Sequence, residues 1–176
     1  MKKPNDLRDH LLSSLPVLAD NPDRLLIFVD EGRMVNTHAN GLSFEYRYTL
    51  NIIITDFSED MAVLTLAIYA WLRLNQPELL ANLNKAADNV KFIADILDNS
   101  RADLSITIPL TERVIAKVND GEQLTIDYPP EPHATRPSES RLMRIVDAKT
   151  GDVLGQFPTG TEEQHWMMEM PLVDLR

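Results

Sequence analysis

The sequence predicts an α+β domain: a mixed or antiparallel sheet with a long central strand, two main helices packed on one face, and a C-terminal β-hairpin after a Pro-rich linker. Three observations predict it. From Leu42 to Thr55 the chain alternates strictly, with Leu42, Phe44, Tyr46, Tyr48, Leu50, Ile52 and Ile54 apolar and the residues between them polar except Ile53. Period two marks a half-buried strand. From about Asp60 to Asn75 the apolar residues leave almost no polar face, which marks a buried helix. In the second half, turn-forming clusters separate short apolar runs, the pattern of hairpins. At ~3.3 Å per residue the long strand measures roughly 45 Å, which outruns the sheet of a small domain unless it bends or meets a neighbour.

The elements follow in order. Pro4 to Ala19 reads as a first helix, with Leu7, Leu11, Leu15 and Leu18 in one stripe and a kink or early end at Pro16. The continuous apolar run Leu25 to Val29 predicts a strand buried on both faces. Asp30-Glu31-Gly32-Arg33 reads as a turn, and Asn36 to Gly41 as a polar loop. After the long strand, Asp56 with Glu59 fits a capping box, with Ser58 a rival cap, and the second helix runs to Asn75. Gln76-Pro77 ends it, and Glu78 to Asn82 adds a short turn of helix. Val90–Leu97 and Asp103–Leu110 form one predicted hairpin, with Pro109 requiring an edge or a bulge. Glu112–Val118 and Gln123–Asp127 form a second around Asn119-Asp120-Gly121-Glu122. Leu142–Val146 and Val153–Phe157 form a third, and two strands alone are marginal, so this one must dock on its own domain or on a neighbouring subunit.

The length of 176 residues suits one domain with an appendage. The expected division is a core over 1–127, a Pro-rich linker over 128–138 and a hairpin extension over 139–176. Hydrophobic residues at 44% can form a real core. The absence of cysteine excludes a disulfide framework, a thiolate metal site and a cysteine nucleophile. A net charge of −10 argues against a general nucleic-acid binder. The polar N-terminus is not a signal peptide, and no apolar run approaches the ~20 residues of a membrane span, so a reducing cytoplasm is expected.

No phosphate-binding loop, dinucleotide fingerprint or nucleophile elbow is present. His10, His38, His133 and His165 fall in separate segments without metal-ligand spacing. Asp56, Glu59 and Asp60 are better read as capping and first-turn charge than as an acid/base or magnesium cluster. Phe44, Tyr46 and Tyr48 share a face with Leu50 and Ile52, so core packing is favoured over base stacking. Trp71 on the apolar helix is likewise core. Arg47 opposes no anion motif and reads as a solvated or cross-strand charge. No catalytic, cofactor-binding or metal residue is therefore expected. A small soluble enzyme and a module pairing its long strand with a peptide are the rivals to an assembly protein.

Four runs then carry a resemblance: NPDRLLIFVDEG from Asn21, LSFEYRYTLNIIITDF from Leu42, AWLRLNQP from Ala70 and LSITIPLTERV from Leu104. In this order and spacing they resemble the tail completion protein R family of contractile-tailed temperate bacteriophages. The resemblance spans roughly residues 1–118 together with the Pro-rich stretch ending in Thr135-Arg136-Pro137, and does not extend past Ser138. It implies a structural virion protein with a helix-covered sheet and no cofactor. Such a protein assembles in the host cytoplasm into a ring, a homohexamer, at the head-proximal end of the tail. The ring would stop growth of the tail tube and sheath, present a surface to the head connector or neck protein, and let DNA pass without specific binding. A head-side neck or stopper protein of the same virion is the alternative. A closed ring needs two different surfaces on each subunit. The polar strand face (Glu45, Arg47, Thr49, Asn51) and the third hairpin (Leu142, Ile145, Phe157) are the candidate subunit interface.

Overall fold

The long strand is the middle of the fold. In the computed structural model, which describes residues 1–36, 41–81, 89–98, 100–119, 123–132 and 141–159, it is β2, Phe44–Phe57, 14 residues. On one side it pairs with β1 (Leu25–Val35) and on the other with β4 (Ala102–Asn119), both antiparallel. β3 (Lys91–Ile96) pairs with the first part of β4, giving the order β1-β2-β4-β3, and β5 (Gln123–Asp127) pairs with the last part of β4.

The alternation sorts the faces as expected. Tyr48, Leu50, Ile52 and Ile54 are buried, together with Leu104, Ile106, Ile108, Leu110 and Val114 of β4. Leu42 departs from the expectation: it precedes β2 and is exposed. Phe57 departs in the other direction, since its odd position belongs to the outer face and yet it is buried. A register shift between Ile54 and Phe57 supplies the reason. Asp56 there has φ +52, and the extra residue turns Phe57 inward.

Helices cover the buried face. α1 (Lys3–Ser14) and α2 (Pro16–Ala19) are the first helix divided at Leu15, which takes an extended conformation because Pro16 cannot continue α1. Their Leu7, Leu11, Leu15 and Leu18 point into the core. α3 (Met61–Asn75) packs against α1 over the same core, burying Val63, Leu64, Ala67, Ile68, Trp71 and Leu72. Its cap is Asp60, whose carboxylate accepts the Ala62 N–H at 2.8 Å. Neither Asp56 nor Ser58 caps the helix, because β2 continues through Phe57. Leu66 and Tyr69 are exposed, so α3 is not buried all round. The Trp71 indole donates to Asp6 at 2.8 Å and ties α3 to α1. α4 (Glu78–Ala81) is the short turn after Pro77.

Three strand expectations need correction. β1 is an edge strand with Leu26 and Phe28 exposed, not a strand buried on both faces. Asp30 to Arg33 is a bulge rather than a turn: three residues advance against two of β2, Glu31 takes φ +50, and β1 continues to Val35. The residue types that favour reversal also favour bulges. Asp103–Leu110 and Glu112–Val118 are one strand, because Thr111 pairs with Arg47 without interruption. Pro109 lies beyond the last β3 pair, Lys91 with Thr107, so among the described residues no strand pairs with that side of β4 there, as expected for a proline at an edge. Of the sequence's turns and loops, Asp120–Glu122 and residues 37–40 lie outside the described residues.

The third hairpin, β6 (Leu142–Val146) with β7 (Val153–Pro158), docks on its own domain against α1 and α3. Gly155 is buried, and a Cβ there would stand 2.9 Å from the Ser14 carbonyl oxygen. Ile145 and Leu154 pack onto the core beside it. Pro132 is the last described residue of the Pro-rich stretch before Arg141.

Candidate assembly surfaces

From Phe44 to Ile54 the even residues of β2 face the helices, so the odd residues of that stretch form the open face of the sheet, where no helix packs among the described residues. The register builds that face row by row. Glu45 lies between Val35 and Arg113, Arg47 between Arg33 and Thr111, Thr49 between Asp30 and Pro109, and Asn51 between Phe28 and Thr107. The next row joins Leu26, Ile53, Ser105 and Ile93 across all four strands. One end of the face is therefore polar, with Arg47 Nε on Glu45 Oε1 at 2.5 Å, and the other end is apolar. The apolar end adds Leu26, Phe28 and Ile93 to the surface the alternation of β2 marks out. Those residues sit on flanking strands and only the register brings them together.

The strands at the sheet's limits expose further apolar side chains. All six residues of β3 are exposed, Ile93 at 68% and Ile96 at 82%. Where β4 runs on to pair with β5, Val118, Leu124 and Ile126 are exposed. On the docked hairpin, Leu142 and Met143 are exposed while Phe157 is half-buried and Ile145 packs inward. The seven candidate interface residues thus fall in two separate places: four along β2 and three on β6–β7.

A buried polar cluster lies where α1 begins. Glu112 occupies an inward position of β4, in phase with Leu104, Ile106, Ile108 and Leu110. Its carboxylate accepts the backbone N–H of Lys2 at 2.7 Å and of Lys3 at 3.2 Å, and the phenol of Tyr48 donates to it as well. Burial, then Glu112, pushes the Tyr48 phenol well above its ordinary value. Beside it the Gln76 side chain accepts the Thr111 N–H at 3.2 Å, on a side of β4 that no strand covers there among the described residues. Lys3 Nζ reaches Gln76, the Thr111 carbonyl and Glu131 at 2.6, 2.7 and 2.8 Å. Lys2 lies over the Tyr128 ring at 5.0 Å. The beginning of the Pro-rich stretch is thus clasped to the N-terminus around a cleft of ≈ 250 Å³. Sequence reasoning missed this cluster, although a charged residue in phase with a buried apolar alternation is a readable signal.

Among the described residues no buried side-chain nitrogen or oxygen lacks a hydrogen-bond partner, which is the arrangement of a structural clasp. His10 donates to the Ala67 carbonyl at 3.0 Å, and burial lowers its pKa. His38, His133 and His165 lie outside the described residues. Asp56 meets Arg101 at 3.1 Å. The Ser100 N–H, then Arg101, hold Asp98 down to about 2. Among the described residues no three metal-ligating side chains converge, and no helix is long and apolar enough to cross a membrane.

Residues 1–132 match the family model described as P2 phage tail completion protein R. The chain is 44% identical over 143 residues to the tail completion protein R of Escherichia phage P2, covering 79% of this chain and 92% of that protein. No solved structure matches it.

Proposed function

The chain belongs to the P2 phage tail completion protein R family, a structural component of the virion tail, and from that premise we propose that it acts as a ring on the head-proximal end of the tail tube. In this reading the ring is a homohexamer, stops growth of tube and sheath, and presents its far side to the head connector. It assembles in the host cytoplasm and acts by contact alone, without catalysis.

The observation that carries the reading is the exposed apolar surface on strands. Leu26, Phe28, Ile93, Ile96, Val118 and Ile126 are exposed on one small domain, and such surface marks interfaces with other chains. Its distribution favours a ring. The apolar side chains lie at opposite limits of the sheet, and heterologous contacts need two different patches on each subunit. We place Glu45, Arg47, Thr49 and Asn51 at the subunit interface. Leu142 and Phe157 join them from the hairpin, and Ile145 holds that hairpin from beneath. The net charge of −10 suits a lumen that repels phosphate and lets DNA slide.

The test is the mass of the purified protein in solution, together with its effect on tail length. A particle of several copies that caps tail tubes at one end is expected. A monomer at every concentration, with tubes left growing in its presence, would overturn the reading.

A further inference from the structure

We propose that the two edges of the main sheet pair with each other between neighbouring copies of this chain, β3 of one copy lying antiparallel beside Leu25–Asp30 of the next. The inference rests on the ring reading and names the contact that closes it.

Strand direction comes first. Each neighbouring pair in β1-β2-β4-β3 is antiparallel. Four alternating strands leave β1 and β3 running in opposite directions at the two edges. When one copy is set beside another with the same face up, β3 meets the next β1 antiparallel, and the alternation continues unbroken. The contact is head-to-tail, the kind that generates rings.

Length and level agree as well. β3 has six residues, and β1 pairs regularly over Leu25–Asp30, also six, before its bulge. Both segments sit at the same height, since Ile93 and Leu26 end one row of the sheet and Lys91 and Phe28 end the next. The bulge itself makes an edge unsuited to pairing. It therefore limits the available edge to the stretch that β3 matches.

The side chains complete the fit. On the open face, Ile93 would meet Leu26 or, with the register shifted by two, Phe28. All three are exposed in the isolated chain. Among the described residues no strand pairs with the outer side of β1 or β3. An exposed edge that is apolar on both faces, with Phe92 and Ile96 on one side and Ile93 on the other, is a template for strand addition.

The chain has no cysteine, so paired cysteines read the contact cleanly. Within one copy, positions 93 and 26 are three strand spacings apart, ~14 Å, too far for a disulfide. Two double variants are made, Ile93→Cys with Leu26→Cys and Ile93→Cys with Phe28→Cys, along with the three single variants. On oxidation, one double variant should give a ladder of covalent multimers ending at the ring's copy number, and the single variants should give none. Ile93→Lys, at an exposed position, should keep the fold by circular dichroism and lose the ring mass. A ring that forms without a ladder and tolerates Ile93→Lys overturns the edge contact and leaves the ring standing. Covalent dimers of Ile93→Cys alone show a two-fold contact and overturn it too. Monomers in the unmodified protein overturn the ring reading itself.

Discussion

Tyr48 and Glu112, on adjacent strands of the helix-covered face, are joined by a hydrogen bond from the phenol to the carboxylate, and that carboxylate also receives the first N–H groups of α1. One acidic side chain therefore fastens β2, β4 and α1 together. Glu112→Ala leaves three donors without their acceptor in a buried site and should cost about 2–4 kcal/mol. Tyr48→Phe removes one bond while the carboxylate keeps its two N–H partners, and should cost about 1 kcal/mol. Because the two residues are in contact, the double variant should lose less than the sum. Urea unfolding of the four proteins measures the coupling.

Gly155→Ala tests how the hairpin docks. The added Cβ would meet the Ser14 carbonyl oxygen at 2.9 Å and Leu15 at 3.1 Å. Backbone cannot yield as a side chain can, so β7 must move off α1. The substitution should cost about 1–3 kcal/mol and speed proteolytic removal of residues 141–159. Equal cleavage rates in the two proteins would show the close approach to be unimportant.

Burial holds the His10 pKa below its ordinary value, against the opposing pull of the Ala67 carbonyl and of Asp6. The unfolded chain therefore binds the proton first as pH falls. Stability from this residue is complete above about pH 6.5, is lost as pH drops below that value, and levels off once the folded histidine also titrates. His10→Gln keeps a donor for Ala67 without titrating. Its melting temperature should change less between pH 7.5 and pH 5.5, as flagged by about one histidine's share of proton uptake.

The two aspartates that precede α3, Asp56 and Asp60, should behave differently. Asp60→Ala removes the cap on Ala62 and should cost about 1 kcal/mol. Asp56→Gly gives up only a surface ion pair with Arg101 that solvent screens. It also relieves the positive φ at Asp56, so its unfolding midpoint should stay near the parent's.

Arg47→Glu places two acidic residues together where Glu45 and Arg47 now pair. If this face meets a neighbouring subunit, the ring should dissociate at low salt and recover as salt rises, since screening weakens like-charge repulsion. Sedimentation at two salt concentrations reads the outcome, and an unchanged particle would take these residues out of the interface.

Much of the fold was legible because its signals are periodic and local. The alternation of β2 sorted Tyr48, Leu50, Ile52 and Ile54 from Thr49 and Asn51 correctly, and the apolar run after Asp60 fixed α3. The misses share a different cause. LLIFV suggests burial on both faces, yet Leu26 and Phe28 stand exposed on an edge strand; the sequence pattern registers their apolarity and not what covers them. Asp30 to Arg33 has turn chemistry, and whether such residues reverse a chain or bulge it depends on the strand alongside. The split of β4 at Thr111 failed for the same reason, since its partner Arg47 lies far off in sequence. Among the candidate interface residues, the polar row along β2 was readable from alternation. Its apolar continuation through Leu26 and Ile93 needed the register.

The cap on α1 has a consequence for the order of synthesis. The acceptor of the Lys2 N–H is 110 positions downstream. At ~5–20 residues per second a ribosome needs roughly 5–20 s to reach it. Through that interval the start of α1 lacks this acceptor, although α3 and β1, against which its leucine stripe packs, are already made. The N-terminal helix, first to leave the ribosome, therefore has its first turn fastened to the sheet only after β4 has been made.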